Sequence, residues 1–303
     1  MVNQSYVRYS IACAAMANKQ RVCDTSRMLG SSIGFDLIER SINGVPLWMI
    51  LEDFTNQFTS WITCDSEVNK LCLARTGLPV DCKFNDFLVV QKPYDMFINS
   101  NNPDRKNTLQ LVLKEMLPNL ANPTLSHEFH FVHRLDYATS GIICIALNKR
   151  SARAASSAFE NRKVKKYYLA LLHGHVNDSF IIIDKPIGDD IREKDGNKKM
   201  CTSDSFFCIK PRKSCTVLLV LEYGFRKGHT IIGDYTYSER QDVEPHRTFL
   251  HSFRLILKND VENLDIRTAD PFLSADPENK WQPTNIVRTL DENIFSEIHE
   301  LAQ

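Results

Sequence analysis

The sequence predicts an α+β fold built on a mixed or mostly antiparallel sheet, and three observations carry that prediction. Short apolar runs bounded by turn residues recur, FLVV at 87–90, GIICIAL at 141–147 and TVLLVLEY at 216–223, and each reads as a buried strand. Between them, LQLVLKEML at 109–117 and SARAASSAFENR at 151–162 carry apolar residues at helical spacing. The two kinds of element interleave without a regular strand–helix–strand rhythm, which is not the pattern of a doubly wound parallel sheet.

Taken in order, residues 1–85 hold mixed apolar segments such as GVPLWMILEDF and no motif that names a chemistry. FLVV is closed by a turn at Lys92-Pro93, and the helix over 109–117 is stopped by Pro118. FHFV at 129–132 alternates as a strand does, and a Thr-Ser-Gly turn leads into GIICIAL. The next helix is expected to start with Ser151 as its N-cap. KKYYLALLHGHV returns to strand, and residues 184–215, rich in Lys, Asp and Gly, are expected to be loops. This divides the chain into an N-terminal extension (1–85), a core domain (86–258) and an acidic C-terminal tail (259–303).

Composition bounds the class. The chain has 303 residues, 43% hydrophobic and 24% charged, enough to bury a sizeable core. No apolar run approaches the length of a membrane helix, so no membrane partner is expected. Nine cysteines without any C-x-x-C pair read as reduced thiols in an intracellular protein. Before Asp24 there is no acidic residue, a faint likeness to a mitochondrial presequence. The expected location is cytoplasmic or nuclear, with a mitochondrion as the alternative, and the expected state is a monomer.

A formal net charge of zero hides an uneven distribution. From Lys149 to Lys166 seven basic residues (Lys149, Arg150, Arg153, Arg162, Lys163, Lys165 and Lys166) face Glu160 alone, a net of +6. From Asn259 to Gln303 the balance is −7. A charge run is usually a solvated face; one that flanks an active site also suits a phosphate backbone.

The segment HEFHFVHRLDYATSG at 127–141 poses the functional question. His127, His130 and His133 lie three apart, whereas a helical zinc site needs imidazoles four apart. On a strand, residues three apart point to opposite faces. No metal is expected. A protein-kinase catalytic loop needs His-Arg-Asp in direct succession, and here Leu135 intervenes. What remains is Asp136 in a turn beside an apolar strand, where a carboxylate can be held ionised and serve as a nucleophile. A loop aspartate that merely caps a turn is the plain alternative.

H133-R-L-D-Y-A-T-S-G141 resembles the signature loop of the RluA-type pseudouridine synthases. Three further pieces follow in that family's order: VVQKPYD at 89–95, K166-Y-Y-L-A170, and G228-H-T-I-I-G-D-Y-T-Y237 with L250-H251. The resemblance implies isomerisation of uridine to pseudouridine in RNA without cofactor or metal. It implies that Asp136 is the catalytic aspartate and Tyr168 the aromatic that packs against the base. It implies a substrate site of His133, Arg134, Leu135, Thr139, Ser140, Gly141 and Lys166. On this reading the basic residues Lys149, Arg150, Arg153, Arg162, Lys163 and Lys165 track the RNA backbone.

The resemblance departs at one place. The family carries a G-R-x-H-Q-(I/L)-R-x-H strand, whose last arginine pairs with the aspartate, just before the G-H-x-I-x-G-D turn. Here EYGFRK runs directly into GHTIIGDY, with Arg226 and Lys227 as the nearby cations. The expectation that follows is unpaired backbone at the centre of the sheet. The alternative function is then a catalytically inactive RNA-binding relative.

Overall fold

The computed structural model describes residues 6–14, 80–173, 178–193, 199–223, 231–273, 278–279, 281 and 285–301. The alternating apolar segments assemble into one mixed sheet of eleven strands. In spatial order these are β14 (Asn285–Ile286), β11 (Cys215–Tyr223), β1 (Tyr6–Ala14), β6 (Lys165–His173), β12 (Leu250–Leu257), β5 (Ser140–Ala146), β3 (Phe87–Lys92) and β2 (Val80–Lys83). β13 (Leu264–Arg267) joins β12, β4 (His130–Phe131) joins β5, and β7 (Phe180–Asp184) joins β11. Among the described residues every strand-to-strand pairing of this sheet is antiparallel except that of β5 with β12.

Period-two alternation sorts the side chains onto two faces. Phe87, Val89, Ile142 and Cys144 point to one side, where α2 (Lys149–Glu160) packs with Ala155 and Ala158. On that side, further along the sheet, α3 (Glu292–Leu301) packs Ile294, Phe295 and Ile298 against Tyr167, Leu169 and Phe253. Leu88, Val90, Ile143 and Ile145 point the other way, onto Leu109 and Leu113 of α1 (Leu109–Met116) and onto Leu135. Each such large side chain contributes roughly 1.5–3 kcal/mol by leaving water.

The structure corrects four expectations. Helix α2 starts one turn earlier than its periodicity suggested: Asn148 is the N-cap and Ser151 the third helical residue, the two joined in a capping box. Their side chains satisfy each other's backbone N–H, with Asn148 Oδ1 accepting from Ser151 N at 2.9 Å. The FHFV alternation yields only the two-residue strand β4. Residues 184–215 are more than loops, because β8 (Ile187–Asp190), β9 (Met200–Thr202) and β10 (Cys208–Arg212) form a separate three-stranded sheet in the order β10-β8-β9. Lastly, the sheet centre is paired. β1 runs antiparallel between β11 and β6, with Ile11 opposite both Leu218 and Tyr168, so the ladder groups on those two edges find partners there. The chain junction at Arg226 and Lys227 lies outside the described residues.

Residues beyond 258 are also built onto the sheet. Leu264, Phe272, Trp281 and Ile294 are buried among core residues. Arg254 donates to Asp265 at 2.8 Å and to Glu292 at 2.9 Å, so part of the acidic balance of this segment is met by a strand cation.

Candidate active site

Four strands bring one residue each into a row across the sheet. Lys92 on β3 lies opposite Gly141 on β5, Gly141 opposite Ser252 on β12, and Ser252 opposite Tyr168 on β6. The parallel pair β5/β12 holds for only two residues, Ser140 with His251 and Gly141 with Ser252, and then splits. It can approach closely there because position 141 has no side chain and adopts φ +115°. A Cβ at that position would fall 2.3 Å from the Ser252 carbonyl oxygen.

The segment 133–139 sits at this split. His133 Nε2 accepts the Cys144 N–H at 2.8 Å, replacing a ladder bond beyond the split, and its ring stacks on Phe159 of α2 at 4.8 Å. Burial, helped by the charge of Lys166, pushes His133 down to about 3, so it is a neutral acceptor. Leu135 turns to the opposite face, into the cluster that also packs Tyr168. Between these anchors Arg134 and Asp136 are exposed. The turn is closed by Thr139 N–H donating to the Asp136 carbonyl at 3.2 Å.

A buried cation fixes the next link. Lys92 is fully buried, and its Nζ donates to the carbonyls of Pro93, Met96 and Tyr137 at 2.8, 2.9 and 3.1 Å. All three ammonium N–H groups are thereby used, one of them on the residue after Asp136. Burial pushes Lys92 down to about 7, and the carboxylates of Asp95 and Asp136 pull against that shift. Met96 N–H donates to the same Tyr137 carbonyl at 3.2 Å.

A second buried cation stands behind the loop. Arg247 lies over the rings of Tyr94 at 4.4 Å and Phe272 at 5.0 Å, and its Nη2 donates to Ser140 Oγ. Ser140 Oγ is 2.7 Å from His251 Nδ1, and His251 Nε2 is 2.8 Å from Thr268 Oγ1, which itself donates to the Phe253 carbonyl. With Thr268 donating onward, His251 must donate from Nε2, and Ser140 must donate to Nδ1. Each hydroxyl and ring N–H in the chain Ser140–His251–Thr268 is thus matched to an acceptor. Burial pushes His251 down to about 3 and Arg247 down to about 10.

The structure therefore brings Asp136, Leu135, Thr139, Ser140, Gly141 and Tyr168 to one region, with His133 and Lys166 at its α2 edge. It also adds residues the sequence reading missed. Lys92 was read only as a turn marker. Arg247 stands three residues before the Leu-His strand and carried no signal of its own. Tyr237 lies close enough to Asp136 for that charge to affect its hydroxyl, although burial is the larger cause of its upward shift.

The basic run is placed elsewhere. Lys149, Arg150 and Arg153 are exposed on α2, and Arg162 and Lys163 on the turn after it. They lie on the side of the sheet opposite the cluster that holds Leu135 and Tyr168. Arg162 donates to the Lys213 carbonyl at 2.7 Å, and Lys165 Nζ is 3.0 Å from His299 Nδ1. Among the described residues no group of three metal-ligating side chains comes together, and no helix is long and apolar enough to cross a membrane.

Comparison with known proteins converges on one family. The chain is 37% identical over 246 residues to mouse RNA pseudouridylate synthase domain-containing protein 1, covering 72% of this chain and 80% of that one. It is 28% identical over 195 residues to the dual-specificity RNA pseudouridine synthase RluA of Haemophilus influenzae, covering 58% and 85%. The solved structure of human RNA pseudouridylate synthase domain containing 1 superposes with a TM-score of 0.58 at 29% identity, covering 73% of this chain and 94% of that one. The RNA pseudouridylate synthase family matches residues 86–250, a stretch that contains Lys92, the Asp136 turn, Tyr168 and Arg247. By that match, over more than half of its length, the chain belongs to the RNA pseudouridylate synthase family.

Proposed function

We propose that this chain isomerises uridine in RNA to pseudouridine, with Asp136 as the nucleophile and Tyr168 packing against the base. The observation that carries this reading is the setting of Asp136. It is exposed at a turn whose ends are locked by His133, Leu135 and the Lys92-bound Tyr137 carbonyl, on the sheet face that Tyr168 shares. A carboxylate held by its surroundings and open to a ligand suits attack on a substrate drawn out of its stack.

The chemistry balances without an external reagent. Over the cycle the bond that Asp136 makes to the substrate forms and breaks again, the N1–C1′ bond breaks, the base turns, the C5–C1′ bond forms, C5 loses a proton and N1 gains one. No electrons enter or leave, so the reaction calls for no redox cofactor. The two buried cations serve position: Lys92 ties the Asp136 turn to the end of β3, and Arg247 braces Ser140 from below. The RNA-backbone role of Lys149–Lys165 belongs to this proposal too, and it requires RNA to reach both faces of the sheet. The alternative of a catalytically inactive relative is not favoured by the family match.

The test is Asp136→Ala, assayed by carbodiimide-based primer extension on RNA. Isomerisation should vanish while RNA affinity stays within about twofold, because an exposed loop carboxylate adds little to the fold. Residual turnover in the variant would remove Asp136 from the chemistry.

A further inference from the structure

The three-stranded sheet β8–β10 carries aromatic surface that the proposed chemistry does not use. Phe206 is 93% exposed, and its ring meets that of Phe207 edge-on at 5.9 Å. The Arg192 guanidinium lies 4.5 Å from the centroid of the Phe207 ring, and Asp190 orients it by accepting from Nε at 2.9 Å. Ile191 N–H donates to the Phe207 carbonyl at 3.1 Å, which fixes the backbone beneath the ring. A phenylalanine this exposed gains little for the fold.

A row of residues leads from this surface towards the candidate site, by contact at two of its links and by electrostatic influence at the other two. The charge of Arg192 reaches Glu239, which pairs with Lys199 at 2.8 Å. The neighbouring Met200 N–H donates to Tyr237 Oη at 3.1 Å. Tyr237 in turn lies within electrostatic reach of Asp136. The exposed rings and the Asp136 turn are thereby linked through Arg192, Lys199 and Tyr237, with Asp190 orienting Arg192 and Glu193 and Glu239 orienting Lys199. Aromatic rings interleaved with cations form the pattern that unpaired nucleic acid uses: bases stack on the rings while the cations follow the backbone. A protein-docking patch would instead be depleted of charge at its centre.

We propose that Phe206 and Phe207, braced by Arg192, form a stacking platform for an unpaired nucleotide of the RNA whose uridine is held at Asp136. The proposal rests on the RNA reading of the Asp136 site. It adds a preference for substrates whose target is bordered by single-stranded rather than paired residues.

The test uses the full chain and a fluorescein-labelled oligouridylate of about ten nucleotides, a length within the range one such groove covers. The comparison probe is the same strand annealed to oligoadenylate. Phe206→Ala should weaken single-strand affinity roughly tenfold and leave duplex affinity unchanged. Phe206→Trp should restore it, and the slope of affinity against salt should not move, since no charge is lost. An unchanged single-strand affinity, an equal loss on the duplex, or no binding of the oligouridylate by the wild type would overturn the platform. So would a concentration-dependent dimer, seen by sedimentation, that Phe206→Ala abolishes, because the rings would then be a self-association face. Failure of the catalytic reading is separable. A wild type that isomerises no uridine, yet loses single-strand affinity on Phe206→Ala, keeps the platform and loses the nucleophile.

Discussion

Replacing Gly141 with alanine tests whether the close approach of β5 and β12 is what assembles the site. The added Cβ would lie 2.3, 2.6 and 2.8 Å from the O, N and C atoms of Ser252, against about 3.4 Å for ordinary contact. The strands must therefore part by about 1 Å at the only two residues where they pair. Holding an alanine at φ +115° adds roughly 1–3 kcal/mol of backbone strain, and overpacking a close-packed contact adds roughly 1–3 kcal/mol more. The sum, about 2–6 kcal/mol, corresponds to a fall in melting temperature on the order of 10 °C for a chain of this size. Scanning calorimetry reads it directly. The same parting moves Tyr168 away from Lys92 and the Asp136 turn, since both are registered through residues 141 and 252. Turnover measured well below the melting transition should therefore fall in kcat. An alanine variant that melts within about 2 °C of wild type with unchanged kcat would refute the argument.

Two further outcomes follow from the electrostatics. His251 is fully buried with its pKa pushed down to about 3, so the unfolded chain takes up a proton near pH 6.5 that the folded chain refuses. That histidine's contribution is complete above the unfolded value and is lost at about 1.4 kcal/mol per pH unit as the pH falls from about 6 towards 3. Urea titrations at pH 7, 5.5 and 4.5 should show a shallower acid loss in His251→Gln, and identical slopes would exclude the buried neutral imidazole. Charge reversal at Arg162 and Lys163 should weaken RNA binding and flatten its salt dependence without lowering the melting temperature; an unchanged salt slope would mean that the α2 strip is a solvated face.

Much of the architecture was legible because it is written in periodicity. The strands at 87–90, 141–147 and 216–223 are those whose apolar residues pack on both faces, and α1 and α2 follow their helical spacing. What failed to show had weaker local signals. The small sheet over 187–212 exposes most of β10 and buries only alternate residues of β8, so it has no hydrophobic pattern to betray it. Ser151 was misplaced by one turn because in a capping box the third helical residue is as polar as the cap.

The site divides along the same line. The residues proposed for the chemistry, Asp136 and Tyr168, and the stretch from His133 to Gly141 carry their signal in one contiguous segment and one strand. Lys92 and Arg247 carry none, since a buried cation looks in sequence like any other lysine or arginine. Their importance comes from what surrounds them: three carbonyls for one, two aromatic faces and a serine for the other. The resemblance to the family suggested that one arginine is needed beside the aspartate, and that a chain lacking its strand would be short of positive charge. The structure places two buried cations around the loop, Lys92 and Arg247, from distant parts of the chain. Lys92 feels the Asp136 carboxylate, while Arg247 engages Ser140 and the rings of Tyr94 and Phe272. The Lys92 ammonium is one whose charge burial opposes and the neighbouring carboxylates support. Removing Asp95, whose carboxylate helps keep Lys92 charged, should therefore weaken the field at Asp136 without touching Asp136 itself.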